Sequence, residues 1–289
     1  MEHEMPRTPQ HYRALFISDI HLGSKGCQAE ALYEFLETHT ADTLYLVGDI
    51  IDGWRLKKKW FFPQSHTNVI EAILSMAKKG TDVYYIAGNH DEFLRGFLRF
   101  KMNFGEVKLS NREMHIGVDG RHYLVVHGDM FDGLMRADRK WIMHLGDNAY
   151  NLLLWINTKL NFIRRKLGLE YWSLSKSLKT RTKRAMNFIH SFEEQVADYC
   201  RRKDYDGAIC GHIHVAEMRE IDGIVYMNDG DWVESCTALA EHHDGRWELL
   251  HNKPNHIKKR RPSLKAQIGE AGLVPKLSGK MRRGSERET

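Results

Sequence analysis

The chain has 289 residues, of which 42% are hydrophobic and 28% charged, a composition typical of a folded globular protein and not of a disordered or collagen-like chain. Its mean hydropathy is −0.52 and it has no run of about 18 apolar residues, which excludes a membrane-spanning helix. The four cysteines form no C-x-x-C pair and the first residues do not resemble a signal peptide, so we expect a reduced, cytoplasmic protein.

The net charge of +5 is unevenly distributed along the chain. Residues 134–205 and 253–289 each have a net charge of +8, which leaves −11 for the remainder. An acidic body repels anionic substrates unless cations are bound in it. The charge distribution is therefore the first indication of a metal site.

The first half of the sequence predicts strands that alternate with helices. Apolar strands are predicted at 12–18, 43–47 and 82–87, and amphipathic helices at 29–38 and 69–77. This alternation is typical of parallel βαβ units. In such sheets ligands bind at the carboxyl ends of the strands.

The second half predicts further strands around a long helical stretch. The strands are predicted at 113–117, 122–126, 208–210, 215–220, 224–228, 236–242 and 246–250. Two sheets are expected, one largely parallel and one with antiparallel strands, with helices outside them. Residues 134–205 are predicted to be a helical insertion in a domain that spans residues 1–252, and residues 253–289 a basic, largely disordered tail.

Five short segments place metal-ligand residue types directly after predicted apolar strands. The segments are Asp19-Ile20-His21, Gly48-Asp49, Gly88-Asn89-His90-Asp91, His127-Gly128 and Gly211-His212-Ile213-His214. Each segment alone is a weak signal, since a Gly-Asp pair is usually a turn and a lone histidine is usually a hydrogen-bonded core residue. The occurrence of all five, each after a strand of one sheet system, predicts a single site.

The residue types in these segments suit a pair of divalent cations. Carboxylate, amide and imidazole donors favour Mn²⁺, with Fe and Zn²⁺ as alternatives, over Ca²⁺, which prefers oxygen ligands alone. The absence of cysteine from the segments argues against a closed structural zinc site. Two metals about 3.5–4 Å apart can activate water and stabilise an in-line phosphoryl displacement.

This ordered set of motifs resembles the calcineurin-like metallophosphoesterase family. The resemblance implies an α/β fold, a four-layered α/β/β/α sandwich, here with a helical cap insertion at 134–205. It also implies that His90 protonates the leaving oxygen or stabilises the transition state, and that Asp91 orients His90. The implied ligands are Asp19, His21, Asp49 and His214 for the first metal, and Asp49, Asn89, His127 and His212 for the second.

Two motifs narrow the resemblance within this family. Ser18–Gly23 and the His127-Gly128-Asp129 segment, together with residues 230–235, are similar to the UDP-2,3-diacylglucosamine pyrophosphatases of lipid A synthesis. The resemblance implies cleavage of an acylated UDP-sugar to UMP and a lipid phosphate. The chain departs from the best-studied enzymes of this group at His90, where they have arginine. The alternatives are a phosphodiesterase or phosphomonoesterase acting on another lipid headgroup or nucleotide, a nuclease, or a scaffold without catalysis.

Four further residues near the motifs are candidates for substrate contacts: Asp52, Arg55, Arg95 and Asp129.

Residues 154–186 have nine Lys or Arg and one acidic residue, interleaved with aromatic and aliphatic side chains. They predict either a solvated helical cap or a surface that contacts an anionic membrane, which would make the protein peripheral on the inner membrane. The tail has no aromatic residue for base stacking, so nucleic acid is not favoured as a partner.

Overall fold

The computed structural model describes residues 9–98, 103–132 and 183–252, which form strands and helices in the following order. The elements are β1 (Gln10–Ile17), α1 (Ala29–Thr38), β2 (His39–Val47), α2 (Gly53–Lys58), α3 (Gln64–Lys78), β3 (Asp82–Ile86), α4 (Arg95–Leu98), β4 (Asn103–Phe104), β5 (Val107–Ser110), β6 (Glu113–Ile116), β7 (His122–Val125), α5 (Lys183–Arg202), β8 (Gly207–Cys210), β9 (Glu217–Ile221), β10 (Ile224–Asn228), β11 (Thr237–Glu241) and β12 (Trp247–His251). Short 3₁₀ turns occur at Glu92–Leu94 and Asp129–Phe131.

The strands form two sheets. The first has seven strands in the order β12-β11-β1-β2-β3-β5-β4, in which β1, β2, β3 and β5 are parallel. The second has five strands in the order β6-β7-β8-β10-β9, in which β7, β8 and β10 are parallel. The antiparallel strands lie at the edges of both sheets. The carboxyl ends of the parallel strands therefore gather at one end of each sheet.

Alternating side chains of the strands enter different cores. In β1, Leu15 and Ile17 pack with α1 and α3 on the outer face of the first sheet. Phe16 points to the other face, where it joins Tyr123 and Met227 of the second sheet in a core between the sheets. The order of layers is thus helices, sheet, sheet and helix, and the α/β/β/α sandwich predicted from the sequence is confirmed.

The outer helix of the second sheet is α5. Its buried side chains Phe192, Val196 and Cys200 pack against Leu124 and Ala208 of that sheet. Residues 183–202 were predicted as part of the inserted cap, and the structure places them in the sandwich itself. The rest of the predicted insertion, and the predicted tail, lie outside the described residues.

Several element boundaries differ from those predicted. Strand β2 begins at His39, directly after α1, four residues before the predicted start. The missed residues His39–Asp42 contain one buried apolar residue, Ala41, among polar residues that are half-buried or exposed, and therefore show no apolar run. The short elements α2, β4 and β5 were not predicted, since two to six residues are too few for a clear periodicity.

Among the described residues, no helix combines the length and the apolar character needed to cross a membrane.

Candidate metal centre

The loops that follow β1 and β2 run side by side at the end of the first sheet. The Asp19 N–H donates to the Gly48 carbonyl oxygen (3.1 Å), and the His21 N–H donates to that of Asp49 (2.9 Å). These bonds continue the pairing of the two strands beyond their last regular residues. They place the side chains of the first two motifs next to each other.

Five of the predicted ligand residues have a left-handed backbone, with φ between 50° and 70°. This region is disfavoured for residues with a Cβ atom, and its use often marks a functional site. In this conformation each side chain leaves the direction that a continued strand would give it and turns toward the loops at the end of the sheet. The five residues are Asp19, His21, Asp49, His212 and His214.

A first group of donors consists of Asp19, His21 and His214. One ligand atom from each lies within 4.8 Å of the others. His214 Nε2 is 3.0 Å and His21 Nε2 is 3.7 Å from Asp19 Oδ1. Asp19 Oδ1 and His21 Nε2 are nevertheless buried without a hydrogen bond of acceptable geometry. A buried carboxylate oxygen and a buried imidazole nitrogen that have no hydrogen bond are suited to bind a cation between them.

A second group consists of Asp19, Asp49 and His127, again within 4.8 Å of one another. His127 Nε2 lies 3.4 Å from Asp49 Oδ2 and 3.2 Å from Asn89 Oδ1. The other ring nitrogen, Nδ1, is 2.9 Å from the Val47 carbonyl oxygen, to which it donates. This bond leaves Nε2 facing the carboxylate and amide oxygens, where it can bind a metal. Asp49 also lies 3.9 Å from His21 Nε2 and thus adjoins both groups.

His212 lies beside the second group. Its ring centroid is 5.0 Å from that of His127. Its backbone N–H donates to Asp19 Oδ2 (2.8 Å). Its Nε2 is 3.0 Å from Asp132 Oδ2. An imidazole that donates through one nitrogen presents the other to a metal, so Asp132 is positioned to orient His212. All seven predicted ligand residues are thereby brought into one neighbourhood.

The electrostatics of this neighbourhood favour bound positive charge. Burial alone would raise the pKa of Asp49, but the charge of His127 lowers it well below its usual value. Burial disfavours the charged form of His21, yet the neighbouring carboxylates of Asp19, Asp52 and Asp49 raise its pKa to about 10. Buried carboxylates are stable only when compensated. Divalent ions supply that compensation, and the donor set fits them.

Two glycines allow the loops to approach this closely. A Cβ atom on Gly88 would overlap Asp49 Oδ1 and lie 2.9 Å from His127 Cδ2. A Cβ atom on Gly211 would overlap Ser18 Oγ and the Asp19 carboxylate. Both positions therefore require glycine if the carboxylates are to keep their places.

Asp52 holds the catalytic candidate His90. Its Oδ1 is 3.0 Å from His90 Nδ1, and its Oδ2 is 3.5 Å from His21 Nδ1. Burial would raise the pKa of Asp52, but the two imidazoles lower it well below its usual value. Asp52 was predicted to contact substrate, and the structure instead turns its buried side chain inward against two imidazoles.

The expectation that Asp91 orients His90 is wrong for this structure. The carboxylate of Asp91 is fully buried and accepts hydrogen bonds from the N–H groups of Ile50 and Gly88 and from the Tyr85 hydroxyl. It therefore joins the loops after β2 and β3. Burial and the charge of Asp49 raise its pKa.

Two other substrate candidates, Arg95 and Asp129, pair with each other. The Arg95 guanidinium lies 2.8 Å from Asp129 Oδ2 and also donates to the Ala87 carbonyl oxygen (2.9 Å). The pair joins the segments that follow β3 and β7. Arg55 is half-exposed, with its Nε 3.9 Å from Asp52 Oδ2.

Sequence reasoning missed Trp54 and Asp132. The Trp54 ring lies 4.2 Å from the His90 ring, centroid to centroid, and is 38% exposed. Only its position two residues after Asp52 pointed to it. Asp132 follows the His127-Gly128-Asp129 motif by three residues, but a lone aspartate in a turn carries no recognisable signal.

Comparison with known proteins yields a family match and several relatives. The model of a family described as calcineurin-like phosphoesterase matches residues 12–216, well over half of the chain. The UDP-2,3-diacylglucosamine hydrolase of Yersinia pseudotuberculosis serotype O:1b (strain IP 31758) is 27% identical over 217 residues, which cover 72% of this chain and 84% of that protein. The protein of the same name from Psychromonas ingrahamii is 28% identical over 243 residues, which cover 80% and 94%.

Among solved structures, a single mutant of Vps29 from Entamoeba histolytica resembles the chain with a TM-score of 0.40 and 16% identity. The alignment covers 82% of this chain and 98% of that one. The phosphopantetheinyl hydrolase of Mycobacterium tuberculosis resembles it with a TM-score of 0.39 and 12% identity, over 78% and 91% of the two chains. Likenesses at this level do not bear on the reaction.

Proposed function

The chain belongs to the calcineurin-like phosphoesterase family and is a phosphoester hydrolase, and from this premise we propose that it cleaves the pyrophosphate of UDP-2,3-diacylglucosamine, releasing UMP and a lipid phosphate. The observation that carries the proposal is the position of Asp49, which lies 3.4 Å from His127 in the second group and 3.9 Å from His21 in the first. This arrangement suits an in-line displacement at phosphorus.

The proposed ligand sets share one aspartate. Asp19, His21, Asp49 and His214 would hold the first metal, and Asp49, Asn89, His127 and His212 would hold the second. Their support is the set of close approaches among carboxylate, amide and imidazole atoms described above. We propose Mn²⁺ as the ion, because mixed oxygen and nitrogen donors suit it. Two such ions, when bound, activate water and neutralise phosphoryl oxygens.

His90 is the proposed proton donor to the leaving oxygen. Its Nδ1 is held by Asp52, while its Nε2 lies 4.0 Å from Asp49 Oδ2 and therefore faces the metal centre. The contact with Asp52 fixes Nδ1 and leaves Nε2 as the ring nitrogen that faces the leaving oxygen. The contact with the Trp54 ring fixes the plane of the imidazole from the solvent side.

Four half-exposed apolar side chains support the proposal of an acylated substrate. Trp54, Phe93, Phe97 and Met130 are each between 38% and 42% exposed. They lie on the segments that follow β2, β3 and β7, the strands whose ends supply Asp49, His90 and His127. Exposed apolar side chains on the same segments as polar site residues favour a substrate with both a phosphate and a hydrocarbon part.

The substrate is tested by comparing separate reactions of the protein with related molecules. Purified, manganese-loaded protein is given UDP-2,3-diacylglucosamine, UDP-glucose, CDP-diacylglycerol or a chromogenic phosphodiester, and UMP or other product release is measured. Release of UMP from the acylated sugar nucleotide alone supports the proposal. Equal turnover of UDP-glucose would contradict a role for the acyl chains, and hydrolysis of CDP-diacylglycerol alone would assign another lipid headgroup substrate.

We also propose that the protein associates peripherally with anionic membranes through the basic, aromatic-rich residues 154–186. Each Lys or Arg near an anionic surface contributes about 1 kcal/mol. Co-sedimentation with phosphatidylglycerol vesicles at low salt is expected, with loss of binding at high salt. Absence from the vesicle pellet at low salt would contradict the proposal. Phosphatidylcholine vesicles are the matched control.

A further inference from the structure

A second group of metal-ligand side chains lies far from the metal centre. It consists of His11 at the beginning of β1, Asp42 near the beginning of β2, and His243 in the turn between β11 and β12. The metal centre follows the other ends of β1 and β2. His11 and Asp19 are eight residues apart along the chain, or about 26 Å for an extended strand. The group is therefore a separate surface feature, which we call the strand-start cluster.

The distances in the strand-start cluster are close to those of a coordination shell. One ligand atom from each residue lies within 4.8 Å of the others. His11 Nε2 is 2.8 Å from Asp42 Oδ1, and His243 Nδ1 is 3.8 Å from Asp42 Oδ2. Ligand atoms bound tetrahedrally to Zn²⁺ at 2.0–2.1 Å are about 3.3 Å apart. Small side-chain rotations reach this geometry, since all three residues are exposed.

Neighbouring groups already orient the two imidazoles. The Thr40 hydroxyl lies 2.9 Å from His11 Nδ1 and 3.4 Å from the Gln10 carbonyl oxygen, to which it donates. Its oxygen can thus accept the Nδ1 proton of His11 and leave the Nε2 lone pair for a metal. The rings of His11 and His243 are stacked, with centroids 5.5 Å apart. Both rings therefore flank the same carboxylate.

We propose that His11, Asp42 and His243 form a third metal site, which takes Zn²⁺ or another divalent transition metal that prefers imidazole. Two imidazoles and one carboxylate, with a position open to water, are a familiar zinc ligand set. The ion would lie between His11 Nε2 and Asp42 Oδ1, which are 2.8 Å apart. It would tie the beginnings of β1 and β2 to the turn between β11 and β12, which is far away in sequence.

The test measures zinc bound per chain after equilibrium dialysis of the full-length protein against Zn²⁺. The wild type is compared with His11→Ala/His243→Ala and with Asp42→Asn. His122→Ala is the matched control, because His122 is an exposed histidine at the beginning of another strand. The two cluster variants are expected to bind one zinc fewer per chain than the wild type and the control, with unchanged hydrolase activity.

A thermal readout is independent of counting ions. Zinc bound only by the folded state raises its melting temperature. The rise is expected to be larger for the wild type and His122→Ala than for the two cluster variants. Equal zinc content in the wild type and Asp42→Asn, or an equal loss in His122→Ala, would overturn the proposal. If the proposed catalytic site bound no metal, the zinc content of all four proteins would be lower by the same amount. The difference in zinc content between the two cluster variants and the other two proteins would remain.

Discussion

Asp52 Oδ1 lies 3.0 Å from His90 Nδ1, although 38 residues separate them in sequence, whereas the adjacent Asp91 turns away from His90. Asp52 follows the metal-ligand candidate Asp49 by three residues and its side chain also caps α2 by accepting from the Arg55 N–H (2.9 Å). One carboxylate thus fixes the start of a helix and the orientation of two imidazoles, His90 and His21.

Replacing Asp52 by asparagine is expected to lower kcat by about 10–100-fold, because a neutral amide holds the His90 ring less firmly than a carboxylate does. The matched change Asp91→Asn removes a carboxylate that, among the described residues, accepts hydrogen bonds from two backbone N–H groups and a tyrosine hydroxyl, and is expected to lower stability by about 1–3 kcal/mol by disturbing a buried acceptor. Steady-state kinetics and urea unfolding separate the two effects. A larger loss of kcat in Asp91→Asn than in Asp52→Asn would reverse the assignment.

His90→Ala is expected to keep both metals and lose about 10²–10⁴ in rate, the range typical of a positioned proton donor. Metal content is measured on the same preparation, so that a loss of ions cannot explain the loss of rate. The effect is expected to be smaller for substrates with a good leaving group, which need little protonation. Near wild-type turnover of a poor leaving group by His90→Ala would contradict the role.

Asp49→Ala is expected to abolish manganese binding at both sites, because this carboxylate adjoins both groups of ligand atoms. His214→Ala, which removes a member of the first group only, is expected to retain one ion. Elemental analysis of the dialysed proteins gives the count. Two ions per chain in Asp49→Ala would show that this residue does not bridge them.

Glu241, which pairs with Ala14 of β1, predicts a pH dependence of stability away from the metal centre. It is fully buried and accepts hydrogen bonds from His115 (2.8 Å), the Val118 N–H (2.8 Å) and Arg13. Burial raises its pKa, but these partners, His115 first, lower it below the ordinary value of 4.5. A lowered folded pKa contributes stability above the unfolded value, and this contribution is lost as the pH falls through the folded value.

Glu241→Gln is therefore expected to lower the free energy of unfolding by about 3 kcal/mol at pH 7. The difference from the wild type is expected to shrink below about pH 4.5. Urea unfolding at pH 7 and pH 4 measures both values, with the exposed Glu220→Gln as control. A difference that is the same at both pH values would rule out the ionised carboxylate as its source.

Removal of residues 253–289 is expected to leave the hydrolase reaction intact, because the described sandwich and all the proposed ligands lie before residue 253. Turnover of a small chromogenic phosphodiester by the truncated protein tests this. The melting temperature serves as the check on folding. A folded truncated protein that has lost most of its activity would place part of the site in the tail.

Much of the fold was accessible from sequence because its strands are buried and its ligand residues come at strand ends. The run Ala14–Ile17 is apolar on both faces, since one face meets helices and the other a second sheet. Helix α5 was predicted as helix but not as a layer of the sandwich. Its apolar face could pack either within an inserted cap or against the second sheet. Helical periodicity in the sequence does not distinguish these two packing partners.

The sequence by itself determined the order of the motifs and the chemical types of the ligands, because short apolar strands and Asp, Asn and His residues are visible in the primary structure. The tertiary structure alone decided which carboxylate faces His90, that Arg95 pairs with Asp129, and that His11, Asp42 and His243 meet. Side-chain direction after a strand depends on backbone angles such as the left-handed φ of Asp19 and Asp49. Contacts between distant residues depend on strand register, which only the assembled sheets establish.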